Sequence, residues 1–241
     1  MSEKKLSEKL LYAPKHGYDR LSEVERKEMN EYCEDYKLFL DRGKTERQCV
    51  EYCIELAEKQ GFVEYVPNMA LKAGDKVYCN NRGKGIMLAI IGSESLAKGA
   101  NIAAAHTDAP RLDLKPRPLY EEAEMAYFKT HHYGGIRKYQ WVTVPLELHG
   151  VVTLADGSAV ELHVGDKPSD PQFIINDLLP HLGREQAKKP LGEAIPSESL
   201  NILVGSEPVT DEEEKSRFKL GVLQYLYDTY GIVEEDFISA E

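Results

Sequence analysis

The spacing of apolar positions makes the chain helical at its start and β-rich later. Residues 21–42 are highly charged, with Ser22 ahead of Glu23 and Glu25 as a predicted N-cap and Gly43 as a predicted stop. Thr45 opens a second predicted helix. In it Val50, Cys53, Ile54 and Ala57 recur at i, i+3, i+4 and i+7, one face of a 3.6-residue period, and Gly61 closes it. Two helices are thus expected to pack against something flat. The segments FVEYV, VYCN and IMLAII, with the turn NRGKG between the last two, predict a strand followed by a hairpin. The run NIAAA, residues 101–105, is short, apolar and unalternating, which predicts a strand buried on both faces of a central sheet.

From about residue 117 the pattern changes. WVTVPLELHGVVTLADGSAVELHV predicts two or three strands with a hairpin turn at Asp156-Gly157, and FIIN and LNILVG predict two more. Residues 211–230 predict one helix, with DEEE supplying negative charge at the positive end of its dipole. DFISAE predicts the start of a further strand. No internal repeat or low-complexity linker divides the two textures, so the reading is an α/β chain.

Composition narrows the partners. Lys plus Arg total 30 against 41 Asp plus Glu, a formal net charge of −11, which argues against nucleic acid or an anionic membrane. The N-terminal stretch MSEKKLSEKLLYAPKHGYDR alternates charge with single apolar residues and lacks the apolar core of roughly 7–15 residues found in secretory signals. No run approaches the ~18 apolar residues of a membrane span. Cys33, Cys49, Cys53 and Cys79 form no CxxC pair and read as reduced, buried thiols, which predicts a cytoplasmic protein.

Candidate chemistry centres on NIAAAHTDAPRLDLKP. In an extended chain residues i and i+2 face the same side, so Asp108 lies beside His106, at the carboxyl end of the predicted buried strand, where α/β proteins place their sites. A metal-bound imidazole commonly donates its second ring proton to a carboxylate. Local chemistry leaves two readings open, a metal ligand with its orienting acid and a structural His–Asp pair. His149 and His163 read as surface or edge positions of strands. His131 and His132 precede a Tyr-Gly-Gly turn and read as loop geometry. Glu121 and Glu122 sit in the acidic run YEEAE and read as solvated. Neither GxSxG nor GxxxxGK[ST] occurs, so a serine-hydrolase elbow and a P-loop have no support.

A wider set of motifs carries a resemblance. AAHTDAPRLDLKPRPLYEE, KTHHYGGIRKYQWVTVPLELHGVV, FIINDLLPHLGREQ, LNILVGS and YGIVEEDFISAE, in this order from about residue 10 onward, resemble the aspartyl aminopeptidase and aminopeptidase I family of zinc metallopeptidases, above all its bacterial aminopeptidase I members. The resemblance implies the N-terminal part of a zinc-exopeptidase catalytic domain, a central sheet with flanking helices, over residues 1–116. It implies an inserted β-rich dimerisation domain over 117–235 and a truncated return to the catalytic domain over 236–241. It further implies two-metal hydrolysis of N-terminal residues from peptide substrates, with two zinc ions per complete site, or cobalt or manganese on similar N and O ligands. His106 then corresponds to a metal ligand and Asp108 to the catalytic carboxylate that orients it. His181 in LLPHLG resembles a substrate-binding histidine that reaches a partner subunit's site.

The family's remaining ligands and its general base fall in a portion that follows an SAE-like strand, and this chain has no residue matched to the general base. Glu121 and Glu122 lack the Gly-Ser context of the family's glutamate pair. One imidazole with one acid does not close a site that needs at least three protein ligands, so the 241 residues alone are expected to be inactive and to hold zinc weakly. Two classes stay open: an N-terminal portion of an aminopeptidase, and a non-catalytic binding or oligomerisation module derived from that family.

Overall fold

The computed structural model describes residues 6–241; the first five, where the charged N-terminal stretch begins, lie outside them. The chain divides into two compact units, one ending at Thr107 and the other spanning Asp108–Glu241. Both mix helix with small sheets, as an α/β class requires.

In the first unit a short helix, α1 (Leu6–Leu10), precedes α2 (Glu23–Arg42) and α3 (Glu46–Lys59). Capping fixes both long helices where the sequence predicts. Ser22 and Glu25 form a reciprocal capping box at the start of α2, Thr45 and Gln48 form one at the start of α3, and Gly43 ends α2. Helix α3 buries Cys49, Val50, Tyr52 and Ala57 and packs on the strand pair β2 (Lys76–Asn81) and β3 (Gly85–Ile90). Strand β1 (Val63–Glu64) runs parallel to β2, and β3 runs antiparallel, giving the order β1-β2-β3. Helix α2 buries no residue; it meets α3 through Phe39 against Tyr52 and through a two-pronged Arg42–Glu55 ion pair. The expectation of two helices packed on a flat element therefore holds for α3 alone.

Two expectations for this unit change. Residues 101–105 form no strand, and Ile102 is 87% exposed. A strand needs a neighbour to take its backbone N–H and C=O groups, and among the described residues no strand pairs with this run. The cysteines also divide: Cys49 is buried and Cys53 half-buried, whereas Cys33 and Cys79 are exposed. Periodicity placed Cys53 on a helix face, but nothing local to Cys33 or Cys79 reports which way the side chain points.

The second unit is built on β4 (Arg111–Glu122) and β5 (Met125–Tyr133), joined by the two-residue turn Ala123-Glu124. A register shift interrupts their pairing between Leu114 and Leu119, where Arg117 takes φ 53° between two prolines. The hairpin of β6 (Leu148–Thr153) and β7 (Ala159–Val164) turns at Gly157, φ 85°, with Asp156 accepting from Ser158. The single turn α4 (Leu191–Ala194) leads on to β8 (Ile202–Gly205), which pairs with β5 to give the order β4-β5-β8, and α5 (Arg217–Tyr230) follows. Phe128, Val152, Val164, Ile175, Leu200, Leu226 and Ile232 belong to one continuous apolar core.

Here too the structure departs from the pattern. The stretch WVTVP does not extend: Thr143 takes φ 62°, Pro145 has no N–H, and the segment bonds irregularly to the carbonyls of Ile175 and Phe173. FIIN contributes single bridges at Phe173 and Ile174 rather than a strand. Helix α5 begins at Arg217, so the acidic run at 211–214 lies outside it. DFISAE is mostly 3₁₀, Glu234–Ser239, and only its last residues pair, Ala240 bridging Val152 and Glu241 exchanging backbone bonds with Val151. Among the described residues no helix is long and apolar enough to cross a membrane.

Candidate functional site

The three candidate site residues occupy separate segments. His106 is exposed, near the end of the first unit, in the irregular stretch before Thr107. Asp108 opens the second unit, three residues ahead of β4. His181 is exposed on the long connection between β7 and β8.

Asp108 is the best defined of the three. Tyr133, the last residue of β5, donates its phenol to Asp108 Oδ2 at 2.8 Å. The register places Tyr133 directly opposite Arg111, the first residue of β4, and the Arg111 guanidinium lies 4.4 Å from the centre of the Tyr133 ring. Arg111 Nε donates to Asp113 Oδ1 at 2.7 Å, and its Nη1 reaches the Ala109 carbonyl at 3.5 Å. The alternation of β4 puts Arg111 and Asp113 on the same side, so the strand itself supplies both the cation and its anchor. Sequence reasoning found Asp108 but missed Tyr133 and Arg111. Arg-x-Asp at 111–113 was a visible signal, whereas Tyr133 is brought in by a cross-strand register that no local spacing encodes.

His181 sits in a loop that its own bonds hold together. Asp177 Oδ1 accepts from the Leu178 N–H and from Gln186 Nε2, and the Gly183 and Ala187 amides bond to the carbonyls of Leu179 and Gly183. Around His181 the loop exposes Leu178, Leu179 and Leu182.

The remaining histidines have structural settings. His149 and His163 are cross-strand partners with rings edge to face at 5.3 Å, each within hydrogen-bond reach of a glutamate two residues earlier, Glu147 and Glu161. His131 and His132 belong to β5, not to a loop, and their rings stack at 5.6 Å. Glu121 is not simply solvated: its Oε2 accepts the backbone N–H of Phe218 and of Lys219, both at 2.9 Å, at the start of α5.

Imidazole and carboxylate are donors that zinc accepts, yet the described residues include no group of three or more His, Cys, Asp or Glu able to hold a metal ion. The His106 imidazole is a donor of the right kind for zinc, but the described residues complete no metal site around it.

Comparison with known proteins gives this geometry its setting. Residues 39–241 match the family model described as aminopeptidase I zinc metalloprotease (M18). A probable M18 family aminopeptidase 1 from Clostridium acetobutylicum is 46% identical over 236 residues, covering 96% of this chain and 51% of the relative. The crystal structure of an M18 aminopeptidase from Thermotoga maritima superposes with a TM-score of 0.87 at 39% identity, covering 95% of this chain and 50% of that one. More distantly, the mApe1 dodecamer of S. cerevisiae shares the fold, at 18% identity and a TM-score of 0.59 over 87% of this chain and 46% of that one. The chain spans about half the length of the relatives it matches. With the match spanning residues 39–241, the chain belongs to the M18 family, the aminopeptidase I zinc metalloproteases.

Proposed function

We propose that this chain forms part of a metallo-aminopeptidase that removes N-terminal amino acids from peptides by two-metal hydrolysis. The observation that carries the reading is the family match over residues 39–241, which contains the His106-x-Asp108 motif. His106 serves as a metal ligand, Asp108 as the carboxylate that fixes its ring, and His181 as a substrate-binding group offered to a neighbouring copy. The bound metals of such an enzyme polarise the scissile carbonyl and acidify a water. The chain's own share is to present one imidazole, to direct the Asp108 carboxylate, and to carry the loop that exposes His181. Residues 117–235 act as the inserted dimerisation domain between catalytic portions 1–116 and 236–241, in a cytoplasmic setting consistent with the absence of CxxC pairing and with the acidic charge.

Two arms test the reading. Supplied with excess zinc, the chain alone is expected to release no N-terminal Asp, Glu or Leu from short peptides, because its described residues group too few metal donors. Joined to the remaining portion of the Clostridium acetobutylicum relative, it is expected to release N-terminal residues, with activity lost on chelation and in His106→Ala. A folded, zinc-loaded chimera without peptidase activity would sink the proposal.

A further inference from the structure

We propose that Tyr133 and Arg111 form a positioning clamp on Asp108. For the role of Asp108 this rests on the aminopeptidase reading; for the clamp itself it rests on the second unit alone. A carboxylate that orients an imidazole must first have a direction of its own, since an unrestrained Asp rotates about two side-chain bonds and presents either oxygen. The Tyr133 phenol supplies that restraint: its 2.8 Å bond to Oδ2 is charge-assisted, and fixing one oxygen fixes where the other points.

Arg111 strengthens the restraint in two ways. Its guanidinium over the Tyr133 ring, 4.4 Å from the centroid, holds the ring by cation–π attraction and draws electron density from it, making the phenol a better donor. Its own position is fixed by the Nε bond to Asp113, so the cation is a planar plate docked on the ring and not a mobile surface charge. The backbone arranges all of this, because Arg111 and Tyr133 are register partners at the open end of the β4–β5 ladder. Just beyond, Gly134 takes φ 76° and turns the chain away from β5, with Pro110 packed close to where a Cβ would sit, at 3.5 Å. One bond to the carboxylate is thus backed by a chain of supports, Arg111 on the Tyr133 ring and Asp113 on Arg111, more than an incidental surface hydrogen bond requires.

The Asp108 carboxyl carbon resonance is compared at one fixed pH in the full 241-residue chain as wild type, Tyr133→Phe and Arg111→Gln. Zinc affinity is measured by chelator competition in the chimera completed with the remaining portion of the Clostridium acetobutylicum relative, carrying each of these changes and Asp108→Asn or His106→Ala. Tyr133→Phe removes only a hydroxyl. It is expected to displace the Asp108 resonance and to lower zinc affinity about tenfold, as Asp108→Asn does, with the thermal midpoint unchanged. Arg111→Gln is expected to produce a smaller displacement in the same direction. An Asp108 resonance that stays put in Tyr133→Phe overturns the clamp. So does a zinc affinity lowered by Asp108→Asn yet untouched by Tyr133→Phe. If His106→Ala leaves zinc affinity unchanged, it is the ligand reading that fails, and the carbon resonance alone decides the clamp.

Discussion

Cys49 lies where α2 hands over to α3, and its thiol donates to the Gly43 carbonyl at 3.4 Å. The approach is close enough that a Cβ on residue 43 would come within 2.7 Å of its sulfur, so Gly43 serves as spacing as well as a stop signal. Burial pushes the Cys49 thiol above its ordinary pKa, with Cys53 and Glu46 adding to the shift, and burial raises Cys53 as well. The sign follows directly: a raised acid keeps its proton through the pH range in which an ordinary thiol ionises, and only the thiolate is nucleophilic. At pH 8 iodoacetamide is expected to label the exposed Cys33 and Cys79 well before Cys49, with Cys49 labelling rising only at higher pH; mass spectrometry of digests over time would read both. Equal rates for Cys49 and Cys79 would contradict the burial argument. On the same grounds the unfolded chain sheds this proton first, so stability falls as pH climbs past about 8.5.

At the scale of elements, helix α5 shows what a local pattern cannot contain. Its N-cap, Ser216, has φ 56° and provides no side-chain cap. Glu121, 97 and 98 positions earlier in the chain, bonds the Phe218 and Lys219 amides instead. One carboxylate on β4 therefore satisfies two of the four N–H groups left open at a helix start and sits at the positive end of its dipole. Glu121→Ala is expected to lower stability by about 1–2 kcal/mol in denaturant unfolding, with Glu122→Ala close to neutral; equal effects from the two would remove the cap. The helices α2 and α3 were legible nearly to the residue because Ser22, Thr45 and Gly43 act within one turn of what they cap. The start of α5 was not, because its cap comes from another strand. For the same reason the candidate site was legible as His106 and Asp108, two residues apart, while Tyr133 and Arg111 are joined only when β4 and β5 pair. NIAAA marks the converse limit: its apolar run describes a suitable strand, but pairing depends on a partner that periodicity does not reveal.

At the scale of the whole molecule the question is what the second unit offers to another copy. Its core closes over Trp141, Leu146 and Leu148, which pack against the buried cluster, and Val142 lies within it. The apolar residues Trp141, Val142, Leu146 and Leu148 are therefore covered from within, and of the five apolar residues they make with Val144 only Val144 is exposed, at 39%. Uncovered apolar side chains of this unit lie elsewhere, at Tyr227, Val233 and Ile238 near the end of the chain and, grouped on one loop around His181, at Leu178, Leu179 and Leu182, which are 55%, 58% and 64% exposed, with Leu191 at 60% shortly after. Several large aliphatics exposed on one bonded loop favour burial against a partner over solvation. Self-association of residues 117–235 should then depend on the His181 loop and not on the 141–148 series. Sedimentation of the full chain at tens of micromolar is expected to give a dimer or larger species in wild type, a monomer in the double variant Leu179→Glu/Leu182→Glu, and little change in Val144→Glu. A wild-type monomer would remove the dimerisation role proposed for this region and, with it, the reason to place His181 at a neighbour's site. A dimer that survives the double change while Val144→Glu breaks it would place the interface at the 141–148 segment instead.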